Sequence, residues 1–214
     1  MTPLRARDAA MRGTRHPAPT GIAMRGNVIL LHGASSSGKT TLARALQARL
    51  DAPFWHYSID HFRGTGVLPD ERIARGDFAW EAMRPAFFEG FHRCLPALAH
   101  AGNALIVEHI VETPAWLSRL VHLLEGLDVF FVALRCPLPE LEKRERERGD
   151  RRAGEARGDH ATVHGFGVYD LEVDATRPVA VNADAVVSAW RARKHPSAFE
   201  RMLAGERAAA REVR

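Results

Sequence analysis

Lysine, cysteine and long apolar runs are scarce in this sequence. Lysine occurs three times, at Lys39, Lys143 and Lys194, although lysine and arginine together number 30. Positive charge is therefore almost all arginine. The two cysteines, Cys94 and Cys136, are too far apart for a C-x-x-C motif, and read as reduced core residues of a cytoplasmic protein. No apolar run approaches the ~20 residues of a membrane-spanning helix. His32, His56, His61, His92 and His164 show no metal-ligand spacing. Also missing is a basic body. Residues 1–26 hold Arg5, Arg7, Arg12, Arg15 and Arg25 against Asp8, which equals the whole net charge of +4. Residues 27–214 balance, so the folded part carries no nucleic-acid footprint.

Against this background one stretch stands out. Val28 to His32 is a short run of branched apolar residues, as in a buried parallel strand. Gly33-Ala34-Ser35-Ser36-Ser37-Gly38-Lys39-Thr40 follows and matches G-x-x-x-x-G-K-[ST]. Thr41 then opens an amphipathic pattern with Leu42, Ala45, Leu46 and Leu50 on one side. Gly33 and Gly38 allow the backbone to curl so that successive N–H groups share one concavity, reinforced by the positive end of a helix dipole. Such a nest suits the polyphosphate of ATP or GTP. Lys39 would reach the β- and γ-phosphates and the Thr40 hydroxyl would ligate Mg²⁺.

The remaining pattern alternates strands with helices. Strands are expected at Phe54–Ile59, Ala104–His109, Val129–Leu134 and Leu171–Asp174. Helices are expected over 78–101 (kinked or divided at Pro85 and Pro96), 114–125, 137–152 and 178–193. Residues 61–76 read as a loop lining a site. This is one α/β domain, a parallel sheet with helices on both faces. Residues 1–26 read as a disordered basic extension, with Met24 an alternative start and a transit peptide a further possibility. Residues 27–195 form the domain, with a lid at about 137–165, and 196–214 a C-terminal helical tail.

Three features carry chemistry beyond the loop. Asp60 ends the second strand on the carboxyl edge, either accepting a proton from an acceptor hydroxyl or capping a helix. Glu108, beside His109 at the end of the third strand, is a candidate magnesium residue or a solvated strand end. His109 reads as structural or substrate-facing. The segment from Glu140 to Arg152 is either a solvated helix, stitched by Glu140–Arg144 and Glu142–Arg146, or a lid. Arg144, Arg148, Arg151 and Arg152 share one face, where a polyanion would relieve their repulsion. Gly149 and Gly154 would act as hinges. Trp55, Phe62 and Trp80 are either core or an apolar acceptor wall.

Together H-G-A-S-S-S-G-K-T, Ile59-Asp60, Arg135-Cys136, the run from Arg144 to Arg151, and Tyr169 to Asp174 resemble the chloramphenicol phosphotransferase family of P-loop kinases. The resemblance implies a five-stranded parallel sheet in a three-layer P-loop NTPase fold. It also implies ATP with Mg²⁺, and transfer of the γ-phosphate to an alcohol. It makes Asp60 the proton acceptor, Lys39 and Thr40 the phosphate and magnesium residues, and Arg144, Arg148 and Arg151 lid arginines, of which Arg144 and Arg148 would spread the charge that develops in transfer and Arg151 would bind the nucleotide. Two departures stand out: Glu108-His109 replaces a pair of aspartates, and 61–77 matches poorly. Fold and reaction carry over; the acceptor does not. Chloramphenicol is one candidate acceptor. Rivals are a kinase for another alcohol, such as a sugar nucleotide in the manner of zeta-toxin-like proteins, and an NTP-binding protein acting on nucleic acid.

Overall fold

A computed structural model describes residues 26–63, 65–148 and 154–212. Residues 1–25 of the extension expected at 1–26, together with Gly149, Arg151 and Arg152, lie outside the described residues, whereas Gly26 is buried and its carbonyl accepts from the Asp128 N–H. Five strands form one parallel sheet: β1 (Asn27–His32), β2 (Phe54–Ser58), β3 (Ala104–His109), β4 (Asp128–Arg135) and β5 (Leu171–Asp174). Their order is β2-β3-β1-β4-β5, with every neighbouring pair parallel. β1 thus lies at the centre, where connections leave in opposite directions and open a crevice at the carboxyl edge.

Alternate residues of the three central strands feed two cores. Ile29, Leu31, Ile106, Phe130 and Val132 face α1 (Lys39–Gln47) and α8 (Val179–Arg191). Val28, Leu30, Leu105, Val107, Val129 and Phe131 face α4 (Trp80–His100), α5 (Pro114–Leu123) and α9 (Ala198–Glu212). Burial on both faces explains why these strands read as continuous apolar runs. Four further helices lie among the described residues: α2 (Ile59–Arg63), α3 (Asp70–Ala74), α6 (Leu138–Arg148) and α7 (Glu155–Thr162).

Several boundaries differ from expectation. Helix α4 is undivided, with both Pro85 and Pro96 inside it. Each proline deletes a donor from the helix ladder, at ~3 kcal/mol, but Phe91, Leu95 and Ala99 pin the helix to the sheet. Cys94 falls off that buried stripe and is exposed, whereas Cys136 is buried as expected. The supposed loop 61–76 contains the end of α2 and all of α3. Strand β2 stops at Ser58, one residue short, so Asp60 stands in the first turn of α2 rather than at a strand end. Trp55 is half exposed on the edge strand and belongs to neither core.

Trp190 closes one core from α8, with ring centroids 5.8 Å from Phe54 and 5.9 Å from Phe130. Trp190→Ala should cost about 3–5 kcal/mol, read as a lower urea midpoint at unchanged slope.

Candidate active site

Between β1 and α1 the chain makes a turn whose polar groups face inward. Gly38 has φ 91° and caps α1, and Ser36 has φ 62°. Gly33 has no room for a side chain: a Cβ there would stand 2.8 Å from the Leu134 carbonyl oxygen. The Lys39 ammonium donates to the Gly33 and Ala34 carbonyls, 2.8 Å each. The Ser36 and Ser37 hydroxyls are buried without a hydrogen-bond partner. Unmatched buried donors cost about 1–3 kcal/mol each and persist where a ligand completes them.

Strand register gathers the carboxylates. Ser58 of β2 pairs with Glu108 of β3, and β3 lies beside β1. The Thr40 hydroxyl donates to Glu108 Oε1 at 3.1 Å. Glu108 is 5% exposed; its Oε2 has no hydrogen bond, and His56 Nε2 stands 3.5 Å away. Burial opposes ionisation of Glu108, but the His56 and Ser58 side chains and the Lys39 charge outweigh it and hold the carboxyl at about 2. An ionised, half-satisfied carboxylate beside a threonine hydroxyl is a hard-oxygen donor set that fits Mg²⁺. Among the described residues, no group of three or more histidine, cysteine or acidic side chains could hold a metal alone. Asp60, whose N–H donates to Ser58 Oγ at 3.2 Å, lines the same cavity of about 470 Å³ as Ser35, Lys39, Thr40, Glu108 and Arg148. It occupies the second position of α2, not the cap.

The arginine-rich segment covers the other side. Arg144 donates to Glu140 at 2.7 Å, to the Ala175 carbonyl at 2.9 Å and to the Ser37 carbonyl at 3.5 Å. Glu140–Arg144 is thus paired as expected, whereas Glu142 pairs with Arg157 of α7. A second cavity of about 410 Å³ opens beyond the turn, lined by Gly38, Arg144, Arg148, Arg177, Val179 and Asn182. Arg148 borders both cavities.

Helix α7 is tied down at both ends. Glu145 accepts from the Gly154 and Ala156 N–H groups, 2.9 Å each. At the far end His32 Nε2–H donates to the Val163 carbonyl at 2.6 Å, while the Val111 N–H donates to His32 Nδ1 at 3.2 Å. These two bonds define the tautomer, and burial lowers His32 to about 3. So held, α7 presents Asp159 to the turn, where the Ser35 N–H donates to Asp159 Oδ2 at 2.8 Å. Burial raises the pKa of Asp159, against the Ser35 N–H and the Lys39 charge.

His109 lines the larger cavity and packs among Phe88, Phe91 and Trp116. Its Nε2 lies 2.9 Å from His92 Nε2, and its Nδ1 is buried without a partner. Burial lowers both histidines, His92 to about 4. Phe62 joins the Phe91 cluster and Trp80 lines the cavity, while Trp55 contributes to neither. Asp159, Arg177, Asn182, Arg63, Arg84 and Glu112 also line the cavities and were not expected. Each is a lone polar residue on a helix or turn, with no local pattern to mark it.

A central β1, a phosphate-type turn and an arginine-bearing helix over it define a P-loop kinase. The match to known proteins is more specific. The family described as chloramphenicol phosphotransferase-like protein matches over residues 26–191, and the chain belongs to it. A Mycobacterium tuberculosis (strain H37Rv) protein with the provisional name O-phosphotransferase is 31% identical over 199 residues, covering 83% of this chain and 88% of that one. Among solved structures, the fold is similar to the APS kinase CysC of M. tuberculosis (TM-score 0.61, 21% identity, 78% of this chain and 99% of that chain). It is also similar to a gluconokinase of Sinorhizobium meliloti (TM-score 0.56, 16% identity, 78% and 92%). The shikimate kinase of Aquifex aeolicus matches likewise (TM-score 0.56, 14% identity, 77% and 96%). The protein is a small-molecule kinase of this family.

Two outcomes follow. His32, His92 and His164, held near 3, 4 and 4 by burial, stay neutral when folded but bind protons when unfolded below about pH 6.5. Stability is therefore full above pH 6.5 and falls as pH drops towards 4, measurable as a declining Tm. Asp159→Asn removes a negative charge from the donor that an entering phosphate needs. It should tighten ATP binding several-fold by calorimetry; weaker binding would show that Asp159 instead supports the turn.

Proposed function

We propose that this protein transfers the γ-phosphoryl group of ATP to a hydroxyl of a small-molecule acceptor, acting in the cytoplasm with Mg²⁺. The observation that carries this is one cavity lined by Ser35, Ser36, Lys39, Thr40, Glu108, Asp60 and Arg148. Phosphate donors, a magnesium-type pair and a candidate proton acceptor therefore share one space. The orphaned Ser36 and Ser37 hydroxyls and the loop N–H groups bind the phosphates. Lys39 lies in the same concavity, ready to leave the loop carbonyls for the β- and γ-phosphates. The second cavity, with Arg177 and Asn182, takes the nucleoside. Thr40 and Glu108 are the residues to hold Mg²⁺, directly or through water. When bound, that ion screens charge on the β- and γ-phosphates.

In the transfer, the acceptor oxygen forms a bond to the γ-phosphorus as the bond to the β–γ bridging oxygen breaks. ADP leaves, and the hydroxyl proton passes to Asp60. Timing follows from basicity. A carboxylate is a far weaker base than an alkoxide, so removing the hydroxyl proton beforehand is strongly uphill. Asp60 instead orients the hydroxyl and accepts the proton late, once the bond to phosphorus has weakened the O–H. Arg148, bordering both cavities, spreads charge that builds on the transferring group. Arg144, committed to Glu140 and two carbonyls, holds the lid helix to the loop on the nucleoside side. Arg151 completes the proposed set from outside the described residues. Chloramphenicol is a candidate acceptor through the family resemblance.

Asp60→Ala should lower kcat by about 10²–10⁴ while leaving ATP affinity nearly intact. Lys39→Ala should weaken both. Calorimetric ATP binding and acceptor-dependent ADP release check this pair. Equal loss of nucleotide affinity in the Asp60 variant would remove Asp60 from its role.

A further inference from the structure

We propose that the acceptor is a compact alcohol that also carries an anionic group, a carboxylate or a phosphate, and that Arg63 and Arg84 bind that group. This rests on the kinase reading above and narrows its substrate class. The larger cavity is walled away from the loop by Arg63, Trp80, Arg84 and Phe88. Both guanidinium groups are braced on aromatic faces. Arg63 lies 5.1 Å from the Trp80 ring centroid, and Arg84 lies 4.6 Å from Phe88 and 5.3 Å from Trp116. Stacking holds the plane of a guanidinium and leaves its N–H edge for a planar or tetrahedral anion.

Their donors are also underused. Most arginines among the described residues pair with a carboxylate, as Arg119 does with Glu89, Arg193 with Asp128 and Arg207 with Glu125. Arg63 has no carboxylate partner among the described residues, although it borders a cavity. Arg84 binds both oxygens of Glu112 through Nη2 alone, leaving Nε and Nη1 for a ligand. Glu112 offsets the charge of Arg84, whereas Arg63 makes no such ion pair among the described residues. Helix α7 adds two acids to the cavity, Asp159, which is committed to the Ser35 N–H, and Glu155 at its first position.

Spacing limits the ligand. Asp60 and Arg63 are three residues apart on α2, so their side chains leave one helix face with Cβ atoms about 5–6 Å apart. An acceptor with its hydroxyl at Asp60 reaches Arg63 when its anionic group lies only a few bonds from that hydroxyl. Small hydroxy acids and sugar phosphates meet this condition. Chloramphenicol, with no ionised group at neutral pH, offers these arginines nothing to pair with.

The test uses the full chain with ATP and Mg²⁺, and reads acceptor-stimulated ADP release. The panel is two matched sets, glycerol with D-glycerate and glycerol 3-phosphate, and glucose with gluconate and glucose 6-phosphate, together with chloramphenicol. An anionic member should exceed its neutral parent in kcat/KM by about tenfold or more, the gain of a charged hydrogen bond. The carboxylate and phosphate arms identify which anion is meant. Arg63→Ala, at an exposed position where folding is not at stake, should raise KM for that acceptor at least tenfold. It should leave kcat and calorimetric ATP affinity nearly unchanged, and Arg63→Lys should recover part of the loss. Stimulation by neutral alcohols or chloramphenicol above every anionic member overturns the proposal. So does silence from every anionic member, or an unchanged KM in Arg63→Ala. Failure of the wild-type chain to bind ATP would instead refute the kinase reading itself.

Discussion

Hydrogen-bond donors converge on the turn between β1 and α1 with too few acceptors to meet them. The Ser36 and Ser37 hydroxyls are buried and unmatched, the Lys39 ammonium rests on two loop carbonyls, and the Ser35 N–H is met by a carboxylate from 124 residues away. A loop of this kind does not hold its shape alone. Two hydrophobic layers hold it, by fixing β1 between β3 and β4 and α1 against the sheet. Gly33 lets the turn press against the end of β4, and the register of β2 on β3 brings Ser58, and just beyond it Asp60, beside Glu108. The energy of apolar burial is thus converted into the placement of unsatisfied polar groups.

Neutral histidines give this site a dry frame. His32 joins the strand before the loop to the end of α7 and to the chain after β3, using both ring nitrogens. His92 and His109 bond to each other within a ring of aromatic side chains behind the acceptor wall. Imidazole suits this work because it offers one donor and one acceptor in a flat ring, which apolar neighbours can cover. Burial keeps the rings uncharged. These three rings therefore add no formal charge to the site.

Helix α7 and the phosphate turn meet through Asp159. Its carboxylate and an incoming phosphate need the same Ser35 N–H, and both are negative. The anchors at Glu145 and His32 bring the helix to this position, so nucleotide entry and the position of α7 are linked through one donor.

Residues close together in the chain could be read directly. The strand–turn–helix from Val28 to Leu46, the strand at Ala104–His109 and the roles open to Lys39 and Thr40 follow from local spacing, because a phosphate turn is built by consecutive residues. Asp60 and Glu108 could be nominated from strand ends, with one correction: the chain turns into α2 a residue early. Contacts made across the sheet left no such trace. Asp159 on Ser35, His32 on Val163, the pairing of Glu142 with Arg157, and the stacked Arg63 and Arg84 join segments whose separation carries no period. By itself the sequence determined the phosphate turn, the alternation of strands and helices, and the family. Only the packed structure decided which carboxylate meets which donor and which arginines line the larger cavity, because those depend on register and helix packing, set by apolar burial over the whole chain.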